Sequence, residues 1–145
     1  MELIYLIGIT LLSHGKMAEG MKDATQLIIG EQEQFNVLGL YEGNDIEVFK
    51  EDVYKAVKDN NTGDGVLIFV DLAGASPYNA ASMNIYKFRK ENIEVRIVTG
   101  VNLSMILETL TQRDLTDDLS ELYKIALNAG CEGITELFEE LEKGE

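Results

Sequence analysis

Among 145 residues there is one cysteine, one proline, one histidine and no tryptophan. A single Cys131 cannot close an intramolecular disulfide, so a reducing, cytoplasmic setting is expected, with the fold held by its core. Basic residues are scarce as well: twelve Lys and Arg stand against twenty-six Asp and Glu, a net charge of −14. Affinity for phosphate backbones is carried by Lys and Arg, so no nucleic acid is expected as a partner, and an anionic membrane surface is disfavoured equally. An acidic surface either serves solubility alone or steers basic protein partners. Long apolar runs are missing too. The stretch Leu3 to Leu12 is too short to cross a bilayer, and no basic segment precedes it as in a signal peptide.

What is present is an ordinary globular composition, 46% hydrophobic, read as one domain over residues 1–145 and long enough to bury a core. Four apolar runs read as strands: "LIYLIGI" (3–9), "FNVLGLY" (35–41), "GVLIFVD" (65–71) and "EVRIVTG" (94–100). The first and third are nearly continuous in Val, Ile and Leu, as strands covered on both faces are. Amphipathic patterns between them predict helices over 16–29, 45–59, 77–91 and 102–113, and a fifth over 117–129 ending at Gly130. Gly30 suits the C-cap of the first helix and Asp45 the N-cap of the second. Strand and helix alternate, so an α/β fold follows: an open, mainly parallel, flavodoxin-like sheet of order 2-1-3-4 with helices on both faces.

Ligands of such sheets bind beyond the carboxyl ends of the strands, where strand order reverses. Two segments lie there: "TLLSHGKMAEG" after strand one and "VDLAGASPYNAAS" after strand three. They bring His14 and Asp71 to one crevice. Neutral imidazole is a competent nitrogen nucleophile. A carboxylate on one ring N–H fixes the tautomer, frees the other nitrogen's lone pair and stabilises positive charge developing on the ring. Read singly, His14 is equally an idle loop histidine, and Asp71 a strand-end carboxylate capping local amides. Their convergence favours the chemical reading.

"GASP" adds an anion site. Ser76 is read as an N-cap with Pro77 at the first helical position, so that free amides and the Ser76 hydroxyl face a phosphoryl group. Ser76 as a cap and nothing more is the plainer reading, and the two are compatible. Gly74 permits close approach of backbone to an anion, or only a turn. The three arginines, Arg89, Arg96 and Arg113, lie outside both loops. Histidine phosphatases surround phosphate with arginines, beginning with one directly before the histidine, where this chain has Ser13. The P-loop and the dinucleotide fingerprint are both absent. A histidine that accepts a phosphoryl group and passes it on remains.

"GITLLSHGKMAEGMKDATQLIIGEQEQ", "GDGVLIFVDLAGASPYNAAS" and "VTGVNLSMILETL" resemble the enzyme IIA component of the mannose-type (mannose/fructose/sorbose) bacterial sugar phosphotransferase system. The likeness runs in order from about residue 4 to residue 133. It implies a cytoplasmic homodimer that accepts phosphate on His14 from the phosphocarrier HPr and passes it to enzyme IIB for sugar uptake, meeting the membrane only indirectly through IIC and IID. Asp71 matches the aspartate that hydrogen-bonds the active histidine, Ser76 the serine beside the phosphoryl group, and Gly74-Ala75-Ser76 the phosphate loop. The resemblance implies no cofactor and no metal. Two other readings stand beside it: a regulatory binding domain that is phosphorylated, and the phosphoryl-donor subunit of a dihydroxyacetone kinase.

The chain departs from the family pattern at Ala75, where a second glycine is usual. If that position needs positive φ, alanine would cost about 1 kcal/mol. Ser104 stands where many members have proline. The resemblance also implies a separate IIB polypeptide and a C-terminal strand exchanged between protomers. That strand is expected near Cys131 to Thr135, with a helix after it, because Ile134, Leu137, Phe138 and Leu141 fall at helical spacing. The alternative is one helix throughout.

Overall fold

The computed structural model describes residues 5–144. Four parallel strands, β1 (Gly8–His14), β2 (Phe35–Leu40), β3 (Val66–Val70) and β4 (Val95–Thr99), form one sheet of order β2-β1-β3-β4. Helices α1 (Met17–Ile29), α2 (Ile46–Asn60), α3 (Ser76–Ser82), α4 (Ile85–Lys90), α5 (Leu103–Gln112), α6 (Leu119–Glu132) and α7 (Leu137–Lys143) connect and follow them. The α/β class and the strand order are those expected from the alternating pattern.

The sheet separates two cores, and β3 shows how. Every residue of VLIFV is buried, because successive side chains point to opposite faces and both faces are covered. Leu67 and Phe69 pack with Met105, Ile106, Leu110, Leu119 and Leu122 from α5 and α6. Val66, Ile68 and Val70 pack with Phe49, Val53, Val57 and Phe88 from α2 and α4.

The first strand lies later than the run 3–9. Residues 3 and 4 lie outside the described residues, 5–7 carry no strand pairing, and pairing runs on to His14. Thr10, expected to open the segment after the strand, is fully buried and satisfied within it. Its hydroxyl donates to Asn36 Oδ1 at 2.7 Å and accepts from Asn60 Nδ2 at 3.2 Å. The helix expected over 77–91 is two helices. The break falls at Asn84, a buried residue whose amide donates to Lys50 O of α2 and to Ala80 O, both at 3.0 Å. Gly30 and Asp45 cap α1 and α2 as expected.

Gly130 does not end α6, which continues to Glu132. It lies inside the helix facing α5, where a Cβ would meet the tip of the Met105 side chain, and its carbonyl accepts from Asn102 Nδ2 at 2.9 Å. The strand expected at 131–135 is not formed in this single chain. Cys131 and Glu132 finish α6, 133–135 connect onward, and the helical spacing of Leu137, Phe138 and Leu141 yields α7. No residue of α7 is buried.

At the amino end of the sheet Arg113, 3% exposed, is clamped by carbonyl groups. Its Nη1 donates to Ile7 O and Gln34 O at 3.1 Å, and Nη2 donates to Glu33 O. Burial pushes its pKa down, with Asp114 and Glu33 pulling the other way.

Candidate active site

His14 is the last residue of β1, level with Leu40 of β2. Directly after it Gly15 turns the chain at φ 53°, a conformation glycine adopts without strain, and its N–H donates to Leu40 O at 2.7 Å. Asp71 follows the last residue of β3, and its N–H donates to Leu12 O at 3.2 Å. Because β1 and β3 are neighbours, the two residues meet at the switch point, where the chain leaves β1 toward β2 and leaves β3 toward β4, in opposite directions across the sheet.

Asp71 Oδ2 lies 2.7 Å from His14 Nδ1 and accepts the His14 backbone N–H at 2.9 Å. An ionised carboxylate only accepts, so Nδ1 carries the proton and the Nε2 lone pair is free. The His14 side chain is 49% exposed, whereas that of Asp71 is 10% exposed. Burial favours the neutral acid, and Asp71 Oδ1 has no donor. The backbone and ring N–H groups of His14, with the positive charge the ring carries in its protonated form, outweigh burial and hold the Asp71 carboxyl below its ordinary pKa. The convergence expected from sequence is therefore present, with the carboxylate sheltered and the ring half open to solvent.

The loop after Asp71 differs in detail from expectation. Ala75, not Ser76, is the N-cap residue of α3, Ser76 is the first helical residue and Pro77 the second. The turn needs its left-handed residue one position earlier, at Gly74, where φ is 77°. Asn79 closes the loop by donating from Nδ2 to Gly74 O at 3.3 Å. Ala75 sits at φ −90°, so alanine carries no strain and the expected cost does not arise. No side chain caps α3, which leaves the Ser76 hydroxyl uncommitted to that helix. No hydrogen bond joins Ser76 to His14 or Asp71; α3 does pack against β1. Ser104 lies in the first turn of α5, at the α5–α6 contact.

Two features near His14 were not read from the sequence. Ser13 is fully buried and hydrogen-bonded on both sides. Gly39 of β2 faces the Gly15 carbonyl, and a Cβ there would overlap that oxygen. A hydroxyl directly before the strand-ending histidine was the available signal for Ser13; Gly39 gave none. His14 stands on an open rim, and a concavity of about 520 Å³ along the outer face of α1, between Lys16 and Gln26, does not include it.

The fold and the pair together define a doubly wound α/β protein with a carboxylate-oriented histidine at its switch point. Residues 8–127 match the family model described as "PTS system fructose IIA component". The chain belongs to this mannose/fructose family of phosphotransferase-system EIIA components. It is 35% identical over 131 residues to the mannose-specific EIIAB component of Escherichia coli (strain K12), covering 90% of this chain and 39% of that protein. It is 30% identical to the fructose-specific EIIA component of Bacillus subtilis (strain 168), covering 75% and 72%. Among solved structures, the EIIA component from Streptococcus agalactiae superposes with a TM-score of 0.84 at 23% identity, over 92% of this chain and 99% of that one. The fucose-operon IIA protein of Streptococcus pneumoniae gives 0.75 at 28%, over 94% and 97%. The chain thus spans 39% of the length of the Escherichia coli relative. Among the described residues no helix is long and apolar enough to cross a membrane.

Proposed function

We propose that this EIIA-type domain is a phosphoryl carrier that accepts phosphate on His14 from HPr and passes it to enzyme IIB for sugar uptake. The observation that carries the reading is the 2.7 Å contact between His14 Nδ1 and Asp71 Oδ2. It leaves Nε2 as the nucleophile. Nε2 attacks phosphorus as the phosphorus–nitrogen bond to the donor's histidine breaks, and that bonding pair returns to the donor ring. Positive charge grows on the His14 ring during attack, and the Asp71 carboxylate stabilises it while Nδ1 keeps its proton. Transfer to IIB is the same step with His14 as the leaving group.

In this reading Gly74, Ala75 and Ser76 receive the phosphoryl oxygens through the free amides opening α3 and the Ser76 hydroxyl. No guanidinium is built into the arrangement: Arg113 is committed to carbonyls at the far end of the sheet, while Arg89 and Arg96 lie on α4 and β4. A phosphoryl group held by amides and one hydroxyl stays transferable. A half-exposed ring on an open rim suits exchange between proteins better than a small-molecule pocket does. The exposed Leu137, Phe138 and Leu141 of α7 support a homodimer that covers them. In this reading the domain works in the cytoplasm and reaches the membrane only through IIC and IID.

The test is incubation with phosphoenolpyruvate, enzyme I and HPr, followed by intact-mass measurement. One added phosphoryl group is expected on the wild type and none on His14→Ala. An unchanged mass, or an equal gain in His14→Ala, refutes the reading.

A further inference from the structure

The residue before His14 has two partners and no exposure. Ser13 Oγ accepts the Ala18 backbone N–H at 2.8 Å and donates to His14 O at 3.0 Å. Ala18 is the second residue of α1, so its amide is one of the donors that a helix start leaves unpaired. The residue placed to cap it locally, Lys16, makes no side-chain capping bond. The cap comes instead from five residues upstream, out of the strand.

A hydroxyl has one proton. With the Ala18 N–H on its lone pair, that proton goes to the His14 carbonyl. The peptide after His14 is then held on both edges, its C=O by Ser13 and its N–H by Leu40 O at 2.7 Å. The peptide before His14 is held through its N–H by Asp71 Oδ2. With both peptides fixed, the His14 backbone is fixed, and the ring reaches Asp71 by side-chain rotation alone. If the Ser13 bond is lost, the later peptide is free to rotate and carries the ring's Nδ1 away from the carboxylate. The buried Ala18 N–H loses its partner as well.

We propose that Ser13 is a positioning residue for His14, coupling the start of α1 to the orientation of the imidazole. This rests on the phosphoryl-carrier reading for its kinetic consequence but not for its structural one. Ser13→Ala removes one oxygen atom. At saturating HPr its phosphoryl transfer is expected to be between about tenfold and a hundredfold slower, with an unchanged KM, because docking surfaces are untouched. Ser13→Thr keeps the hydroxyl and is expected to restore the rate.

The decisive readout needs no phosphoryl transfer. Imidazole ¹⁵N shifts, recorded at alkaline pH where an ordinary imidazole is neutral, report which ring nitrogen carries the proton. Wild type and Ser13→Thr are expected to show the Nδ1–H form, and Ser13→Ala a mixture of both. In the wild type the Ala18 amide is expected to exchange slowly with solvent. The proposal is overturned by a fast-exchanging Ala18 amide in the wild type. It is equally overturned by a Ser13→Ala protein with the wild-type tautomer, whether its transfer rate is normal or reduced. Should the wild type fail to take up phosphate, the carrier reading falls, while tautomer and exchange still decide the role of Ser13.

Discussion

One oxygen of Asp71 holds two nitrogens of His14, the ring Nδ1 at 2.7 Å and the backbone N at 2.9 Å. The shared acceptor means that ring and main chain are referenced to the same atom. An acceptor must stay at that point whatever the ring does, because the backbone N–H faces it as well.

This distinguishes two substitutions at position 71. In Asp71→Asn the amide oxygen is drawn to the His14 backbone N–H, so the Nδ1–H tautomer is retained and only the negative charge is lost. Transfer from HPr, followed by rapid quench, is expected to slow by about tenfold or more. Asp71→Ala loses both the charge and the orientation and is expected to be slower still. Equal rates for the two variants, or a wild-type rate for either, would contradict the shared-acceptor account.

Acid stability follows from the same contact. The folded state holds the Asp71 carboxyl below its ordinary pKa of 3.8. A depressed carboxyl contributes stability that is present above the unfolded pKa and is lost as pH falls toward the folded one. The stability difference between wild type and Asp71→Asn, from urea unfolding at a series of pH values, is therefore expected to narrow below about pH 4. A difference that widens on acidification has the wrong sign.

The loop opening α3 offers a paired comparison. Ala75 lies at φ −90°, whereas Gly74 lies at φ 77°. Ala75→Gly is expected to lower stability by about 0.5 kcal/mol through the unfolded chain alone. Gly74→Ala forces an L-residue into the left-handed region and is expected to cost about 1 kcal/mol or more. Thermal melts rank the two, and a reversed ranking would place the strained residue at 75.

Arg113 supplies a contrast remote from the chemistry. Lysine has a single ammonium to offer where the guanidinium reaches Ile7, Gln34 and Glu33 together. Arg113→Lys is expected to lose on the order of 2 kcal/mol of unfolding free energy. The folded variant is expected to accept phosphate from HPr at the wild-type rate. A large rate defect in folded protein would tie the amino end of the sheet to the site.

The arrangement of strands and helices was legible because β2, β3 and β4 are dense in apolar residues and the helices between them are amphipathic. The meeting of His14 and Asp71 was legible for a topological reason: neighbouring parallel strands bring their carboxyl ends together whatever the loops contain. What escaped was polar and tertiary. Thr10 and Ser13 sit fully buried because Asn36, Asn60 and Ala18 satisfy them, and none of these partners is adjacent in sequence. Ser76 displays the residue preference of an N-cap, but the turn at Gly74 moves the cap to Ala75. Gly130 carried the mark of a helix end, yet it lies within α6, facing Met105 of α5. Arg113 was placed only outside the two loops, because the carbonyls that hold it come from residues 7, 33 and 34, far away in sequence.

The clamp at Arg113 also sets an order of events during synthesis. Its bond to Ile7 spans 106 residues. Until Arg113 is made, β1 can pair with β2 and then β3, but the Ile7 and Glu33 carbonyls lack the guanidinium that holds them, and Gln34 O has only its bond from the Ile9 N–H. β1, which precedes the other three strands in the chain, is therefore among the last parts to be locked. A nascent chain stalled before residue 113 should carry His14 on a strand whose amino end still frays.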